Sequence, residues 1–207
     1  MRDDEPPIKG EPVMANTFAP FGFRQYSGNG SAPTYEQVEM LIKSDYTTAI
    51  FYGDAVLQDA NGFITRAGDA PTTQLAGVFQ GCKYLSVAQK RTVWSNFWPG
   101  SDNNGSVYAY VVNDPNARFL VQAGSTTNVT QAGVGASISL AGGSSGNTSS
   151  GISGMYVETL GTSSTAPFRV ISLVTDPPGS NGTDTASNGN YVVVGFLNVS
   201  TKTLVTI

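Results

Sequence analysis

An all-β fold is predicted: a β-barrel or jelly-roll-like sandwich with one short helix and an extended N-terminal arm. Three observations predict it. Charged residues are only 13% of the 207-residue chain, against roughly 25% in ordinary domains. Glycine contributes 24 residues and Ser, Thr and Asn are frequent, a composition that disfavours helix interiors and favours tight turns. About ten short runs rich in β-branched and aromatic residues follow one another, each bounded by turn sequences.

The chain divides at the sequence level into an extended arm, residues 1–33, and a single β-domain, residues 34–207. Arg2, Asp3, Asp4, Glu5, Lys9 and Glu11 place six charges in the first thirteen residues, with three prolines among them. Such a stretch buries too little apolar surface to offset its own ordering entropy. It has two placements, on its own domain or across a neighbouring subunit. After it, Phe18, Phe21 and Phe23 alternate with Pro20 and Gly22, the pattern of an extended hydrophobic anchor for a partner.

Thr34 to Lys43 is the one segment with helical spacing. Thr34 and Gln37 fit a capping box, and Tyr35, Val38, Leu41 and Ile42 form one apolar stripe. A helix here would plug the mouth of a β-structure.

From Thr47 onward the signals are strand and turn. Ala49–Phe51 leads into Gly53–Leu57, the turn Asp59-Ala-Asn-Gly62, and Phe63–Thr65, a hairpin whose Asn-Gly supplies positive φ. Further strands are expected at Leu75–Phe79, Thr92–Phe97, Val107–Val112 and Arg118–Gln122, the last two separated by the turn Asn113-Asp-Pro-Asn116. Later ones are Ile138–Leu140, Gly154–Thr159, Phe168–Leu173 and Tyr191–Leu197, with Leu204–Ile207 closing the chain. Between residues 133 and 154, 14 of 22 residues are Gly or Ser. Ile138, Leu140 and Ile152 interrupt that run, so a long loop near 141–154 is expected instead of a linker.

Several function classes are disfavoured. The chain has no histidine and one cysteine, Cys82, which removes His-dependent triads, an internal disulfide and multi-thiolate metal sites. Asp59-Ala-Asn-Gly62 and Asp102-Asn-Asn-Gly105 start like calcium loops, but the twelfth positions are Ala70 and Asn113. Net charge is −4 and Lys90-Arg91 is the only adjacent basic pair, so no footprint for nucleic acid is present. No apolar run reaches the roughly 18 residues of a membrane span. The expectation is a protein with no catalytic residue, no cofactor and no metal. Trp94-Ser-Asn-Phe97-Trp98-Pro-Gly100 is the other aromatic cluster. Alternation sets Trp94 and Phe97 on opposite faces, one for a core and one for a sugar or a subunit interface.

Met14-Ala-Asn-Thr-Phe-Ala-Pro-Phe-Gly-Phe-Arg24, Gly53-Asp-Ala-Val56, Gly77-Val-Phe-Gln-Gly81, Phe97-Trp-Pro-Gly100, the strand–Asp-Pro–strand unit 108–122 and Ala166–Ile171 together resemble the capsid decoration (cement) proteins of tailed bacteriophages. The resemblance runs from Met14 to Leu197 and leaves residues 1–13 as an added arm. It implies a structural virion protein, made in the host cytoplasm, that binds the capsid exterior. There it would bridge major capsid subunits and associate with itself as a dimer or trimer. Phe18, Phe21, Phe23, Trp94 and Trp98 are the candidate partner-binding residues. The alternative is a receptor- or carbohydrate-binding β-module of a phage tail or adhesin.

Overall fold

The computed structural model describes residues 15–27, 36–177 and 182–202. Fourteen strands account for its regular structure: β1 Arg24–Ser27, β2 Val38–Ile42, β3 Ala55–Gln58, β4 Ile64–Arg66, β5 Leu75–Ser86, β6 Arg91–Ser95, β7 Val107–Val112 and β8 Arg118–Gln122, then β9 Ser137–Ala141, β10 Gly146–Asn147, β11 Ile152–Ser153, β12 Tyr156–Gly161, β13 Phe168–Leu173 and β14 Tyr191–Phe196. Two single turns of 3-10 helix, Gln131–Gly133 and Ser200–Lys202, are the only helical elements among the described residues.

The strands form two rolled sheets. In the first, the order is β3-β4-β2-β7-β5, and a further β3–β5 pairing closes the ring into a five-stranded barrel, with β6 flanking β5. Closure leaves only β6 as an edge, which is how all-β proteins limit unpaired strand backbone. The barrel is filled by Ile42, Ile50, Val56, Ile64, Phe79, Trp98, Val107 and Val111, all buried.

The second sheet runs β1-β8-β14-β13-β9-β12. It curls until Ala123, just past β8, forms a parallel bridge with Val157 of β12, and Gly124 N–H donates to Val157 O at 2.8 Å. The turn at Asn113–Asn116 therefore does not close a hairpin; it carries the chain from β7 of the first barrel to β8 of the second sheet. The larger core lies inside this second sheet and against the first barrel. Phe119, Phe168, Phe196, Val121 and Val194 meet Ala55, Leu75, Val78 and Val112 there. Two register shifts, at Ala76 and at Gln80, break the alternation of β5 and explain its double use: Leu75 and Val78 face the second sheet, whereas Ala76, Phe79 and Cys82 face the barrel interior.

Most expected strands are present, and the hairpin at residues 53–65 forms as anticipated: Asp59 Oδ1 accepts from Asn61 N–H and Phe63 N–H, both at 2.9 Å. The expected helix over Thr34–Lys43 is overturned. Residues 38–42 form β2, antiparallel to β7 with Val38 opposite Val111 and Ile42 opposite Val107. Five consecutive register pairs that help close a barrel outweigh a weak local helical preference. The stripe itself shows the misreading, since Ile42 is buried while Val38 and Leu41 are 39% and 40% exposed. Thr34 and Tyr35 lie outside the described residues.

The arm expectation over 1–33 is corrected for residues 15–27. Phe23 is fully buried, stacked on Phe168 with ring centroids 4.3 Å apart and edge-on to Phe119. Gly22 N–H donates to Met155 O at 3.1 Å and Phe23 N–H to Gly53 O at 2.9 Å. Gly22 has φ +74°, and a Cβ there would lie 2.5 Å from Ser153 Cβ and 2.7 Å from Gly53 O. Only glycine permits that crossing between the barrel and the second sheet. A segment holding the centre of the core is part of the domain. Residues 1–14 and 28–33 lie outside the described residues, as does the closing strand expected at Leu204–Ile207.

The Gly/Ser-rich stretch 141–154 folds back as the short hairpin β10–β11 and docks on the first barrel. Tyr52 N–H donates to Gly151 O at 2.9 Å and Ser153 N–H to Tyr52 O at 3.0 Å. Asn96 Nδ2 donates to Ser150 O at 2.9 Å.

Candidate functional site: two exposed aromatic surfaces

The residues singled out from the sequence separate into buried and exposed groups. Trp98 is fully buried. Its indole packs edge-on against Tyr84, centroids 5.2 Å apart, and its Nε1–H donates to Tyr46 O at 3.1 Å. The expectation that Trp98 and Phe23 contact a partner is therefore corrected: both are core residues, Trp98 inside the closed barrel and Phe23 between the barrel and the second sheet. Phe21 is half-buried, edge-on to Tyr191 at 5.5 Å, with the Arg24 guanidinium 5.9 Å from its ring centroid. Phe18 and Trp94 remain outside, 40% and 67% exposed.

The first exposed surface belongs to the 15–27 segment. Asn16 Nδ2 donates to Asp184 O at 2.8 Å, and Gly182 N–H returns a bond to Asn16 Oδ1 at 2.7 Å. The buried Gln122 spans the next residues, accepting from Ala19 N–H at 3.0 Å and donating to Thr17 O at 2.8 Å. Phe18 thus stands on a fixed backbone, edge-on to Tyr156 with centroids 5.2 Å apart. Further along, β1 pairs with β8 through Gln25↔Phe119 and then Ser27↔Arg118. Tyr26 is the extra residue between them. A bulge of this kind redirects a side chain outward, and Tyr26 is 55% exposed.

The second surface lies on the first barrel. Cα register places Leu41 opposite Tyr108, Tyr108 opposite Lys83, and Lys83 opposite Trp94. One continuous row therefore crosses β2, β7, β5 and β6. In the neighbouring row, Glu39 pairs with Tyr110 and Tyr110 with Gly81. Gly81 brings no side chain to this face, so the Trp94 ring reaches across and stacks on Tyr110 at 5.7 Å and 10°. Lys83 Nζ sits 5.2 Å from the Trp94 centroid and 4.8 Å from that of Tyr108, and 3.8 Å from Glu39 Oε2. The alternation in Val107-Tyr-Ala-Tyr-Val111 already sets Tyr108 and Tyr110 on one face. Lys83 was hidden because its cross-strand neighbours are distant in sequence.

Among the described residues, buried charge is concentrated at one place. Asp54 and Arg66 form an ion pair, Oδ2 to Nε 2.7 Å, with side chains 0% and 5% exposed. Phe51 N–H donates to Asp54 Oδ2 at 2.8 Å, while Arg66 lies over the Phe51 ring and donates to Ser145 O. Burial pushes the Asp54 carboxyl up to about 6, with Arg66 and the Phe51 N–H pulling the other way. The pair clamps the 142–153 segment to the barrel. Burial likewise pushes the Cys82 thiol up to about 12, which leaves it protonated and unreactive. Three further carboxylates hold backbone and side chains in place: Asp59 within its own turn as described, and, across separate segments, Asp69 accepting from Gly143 N–H at 2.7 Å and Asp102 accepting from Ser86 Oγ at 2.6 Å and Ala88 N–H at 2.7 Å. Among the described residues no three acidic or thiol groups converge as metal ligands, and no helix is long and apolar enough to cross a membrane.

No protein-family model matches the chain, and no curated protein or solved structure matches it. The class defined by fold and surface is an all-β protein, a closed five-stranded barrel packed against a curled six-stranded sheet, with exposed aromatic side chains on rigid strands.

Proposed function

We propose that this chain is a structural, non-catalytic virion protein that binds the outside of a phage capsid and stabilises the shell by bridging major capsid subunits, working there as a dimer or trimer. The observation that carries the reading is the pair Phe18 and Tyr26, exposed on a segment that hydrogen bonds and β-pairing hold in place. Large apolar groups left in water on a rigid support are the anatomy of a docking surface. Because the backbone is already ordered, binding loses little conformational entropy. Each such side chain transferred to a partner contributes roughly 1.5–3 kcal/mol. Phe18 lies in the Met14–Arg24 stretch, one of those that carry the resemblance to capsid decoration proteins, which supports the same surface. In place of a free arm, the reading now rests on a folded ledge.

The test is co-sedimentation with phage heads stripped of the protein. A Phe18→Ser/Tyr26→Ser double variant should fold normally and bind heads at least about a hundredfold more weakly, since about 3 kcal/mol is two decades in affinity. A double variant that decorates heads as well as the native chain sinks the assignment. If the native chain itself does not bind heads, the receptor-binding alternative gains.

A further inference from the structure

We propose that the Trp94–Tyr110–Tyr108 face of the first barrel is a binding site for a neutral glycan, separate from the shell-binding ledge. Three features select this class of ligand. The first is the outer side of the Trp94 ring, which stacking on Tyr110 holds in place. Trp94 and Tyr110 lie within 10° of parallel on adjacent rows of a rigid sheet, and Trp94 is 67% exposed. The aliphatic C–H face of a pyranose packs on such a surface, whose rings are large, stiff and lose few rotamers on binding.

The second feature is charge. The platform holds one cation and one anion, Lys83 and Glu39, and they face each other at 3.8 Å. Lys83 is further occupied by the Trp94 and Tyr108 rings. The patch therefore presents no net charge to its ligand. An acidic polysaccharide or a nucleic acid would need clustered, uncompensated cations. The electrostatics fit a partner that is polar and uncharged.

The third is the groove beside the rings. A shallow cleft of about 440 Å³ is lined by Glu39, Met40, Leu41, Gln58, Gly62, Ser106 and Tyr108, within the roughly 300–1,000 Å³ of small-ligand sites. Carboxylate, amide and hydroxyl groups alternate there with an aliphatic side chain. The Glu39 carboxylate can accept hydrogen bonds from two vicinal hydroxyls, and Gln58, whose Nε2 donates to Gly62 O at 3.2 Å, offers its carbonyl oxygen as a further acceptor. Tyr108 joins the two regions, since it lines the groove and lies in the same row as Lys83 and Trp94. One sugar unit can stack on the platform while the next enters the cleft.

The experiment uses the full chain on an array of neutral glycans, with heparin as the acidic control and tryptophan emission as a second readout. Trp98 is buried, so emission changes on glycan addition report Trp94. The expected result is retention on at least one neutral glycan and none on heparin. Trp94→Ala should weaken binding about tenfold or more, as loss of one aromatic stack implies. Trp94→Phe should retain part of it, and head binding by both variants should match the native chain. No retention on any neutral glycan overturns the proposal, as does undiminished binding by Trp94→Ala. Concentration-dependent self-association that Trp94→Ala abolishes, without glycan binding, would assign the face to a second copy of the chain and overturn it equally.

Discussion

Replacing Phe23 by Ala tests whether the N-terminal segment is built into the fold. Phe23 is fully buried and tied to both sheets: stacked on Phe168 at 4.3 Å and edge-on to Phe119 at 6.4 Å in the second, and held by its own N–H to Gly53 O at the first barrel. Removing a buried phenylalanine ring costs about 3–5 kcal/mol, the upper part of the range applying where neighbours cannot collapse into the cavity. Here they are constrained. Phe168 and Phe119 sit on paired strands of a closed sheet, and Gly22 fixes the approach of the chain. In a domain of this size, 1 kcal/mol shifts Tm by about 2–4 °C, so a drop of about 6–20 °C is expected in calorimetry, with a matching fall in the denaturant midpoint. A Phe23→Ala protein melting within about 3 °C of the native chain would refute the reasoning and restore the picture of a detachable arm. Deletion of residues 1–23 should likewise prevent folding, not merely prevent shell binding.

Two more predictions follow from the buried groups. Asp54 has its folded pKa raised to about 6 from 3.8, so its contribution to stability is fully present below pH 3.8 and is lost as pH climbs through about 6. Arg66→Met removes the countercharge; it should destabilise the protein at neutral pH by about 3–5 kcal/mol and carry the pH dependence upward, and a variant with an unchanged pH–stability profile would contradict the clamp. Cys82, pushed up to about 12 by burial, should resist thiol reagents at pH 8 in the native protein and react promptly once unfolded; stoichiometric labelling of the native chain within minutes would contradict its placement.

The fold class was legible because turn chemistry and alternation act locally. Asn61-Gly62, Asn113–Asn116 and the runs at 75–79, 107–112, 118–122, 168–173 and 191–197 mark strands whatever their partners. What the sequence concealed is pairing. Val38–Ile42 carries a helical stripe, and nothing local shows that β7 supplies it with a register. Phe18, Phe21 and Phe23 look alike in sequence, yet only Phe23 falls where two sheets close over it. Trp94 and Trp98 diverge for the same reason: one is on an edge strand, and the other, bridged to Ile50, turns into the barrel. The platform needed Lys83, Tyr108 and Trp94 to be adjacent, which depends on strand order and not on spacing along the chain.

Shell stabilisation is the central claim, and the most direct measurement is the survival of heads under heating or osmotic shock, with and without the protein, at low and high salt. A protein that binds the assembled shell and not its unfolded subunits stabilises it by RT ln(1 + [L]/Kd), about 2.7 kcal/mol per site at a hundredfold excess over Kd. With apolar contacts at Phe18 and Tyr26, that protection should weaken only modestly as salt rises. The account predicts decorated heads that survive conditions rupturing bare ones, at both salt concentrations. Heads equally robust with and without the protein would contradict it.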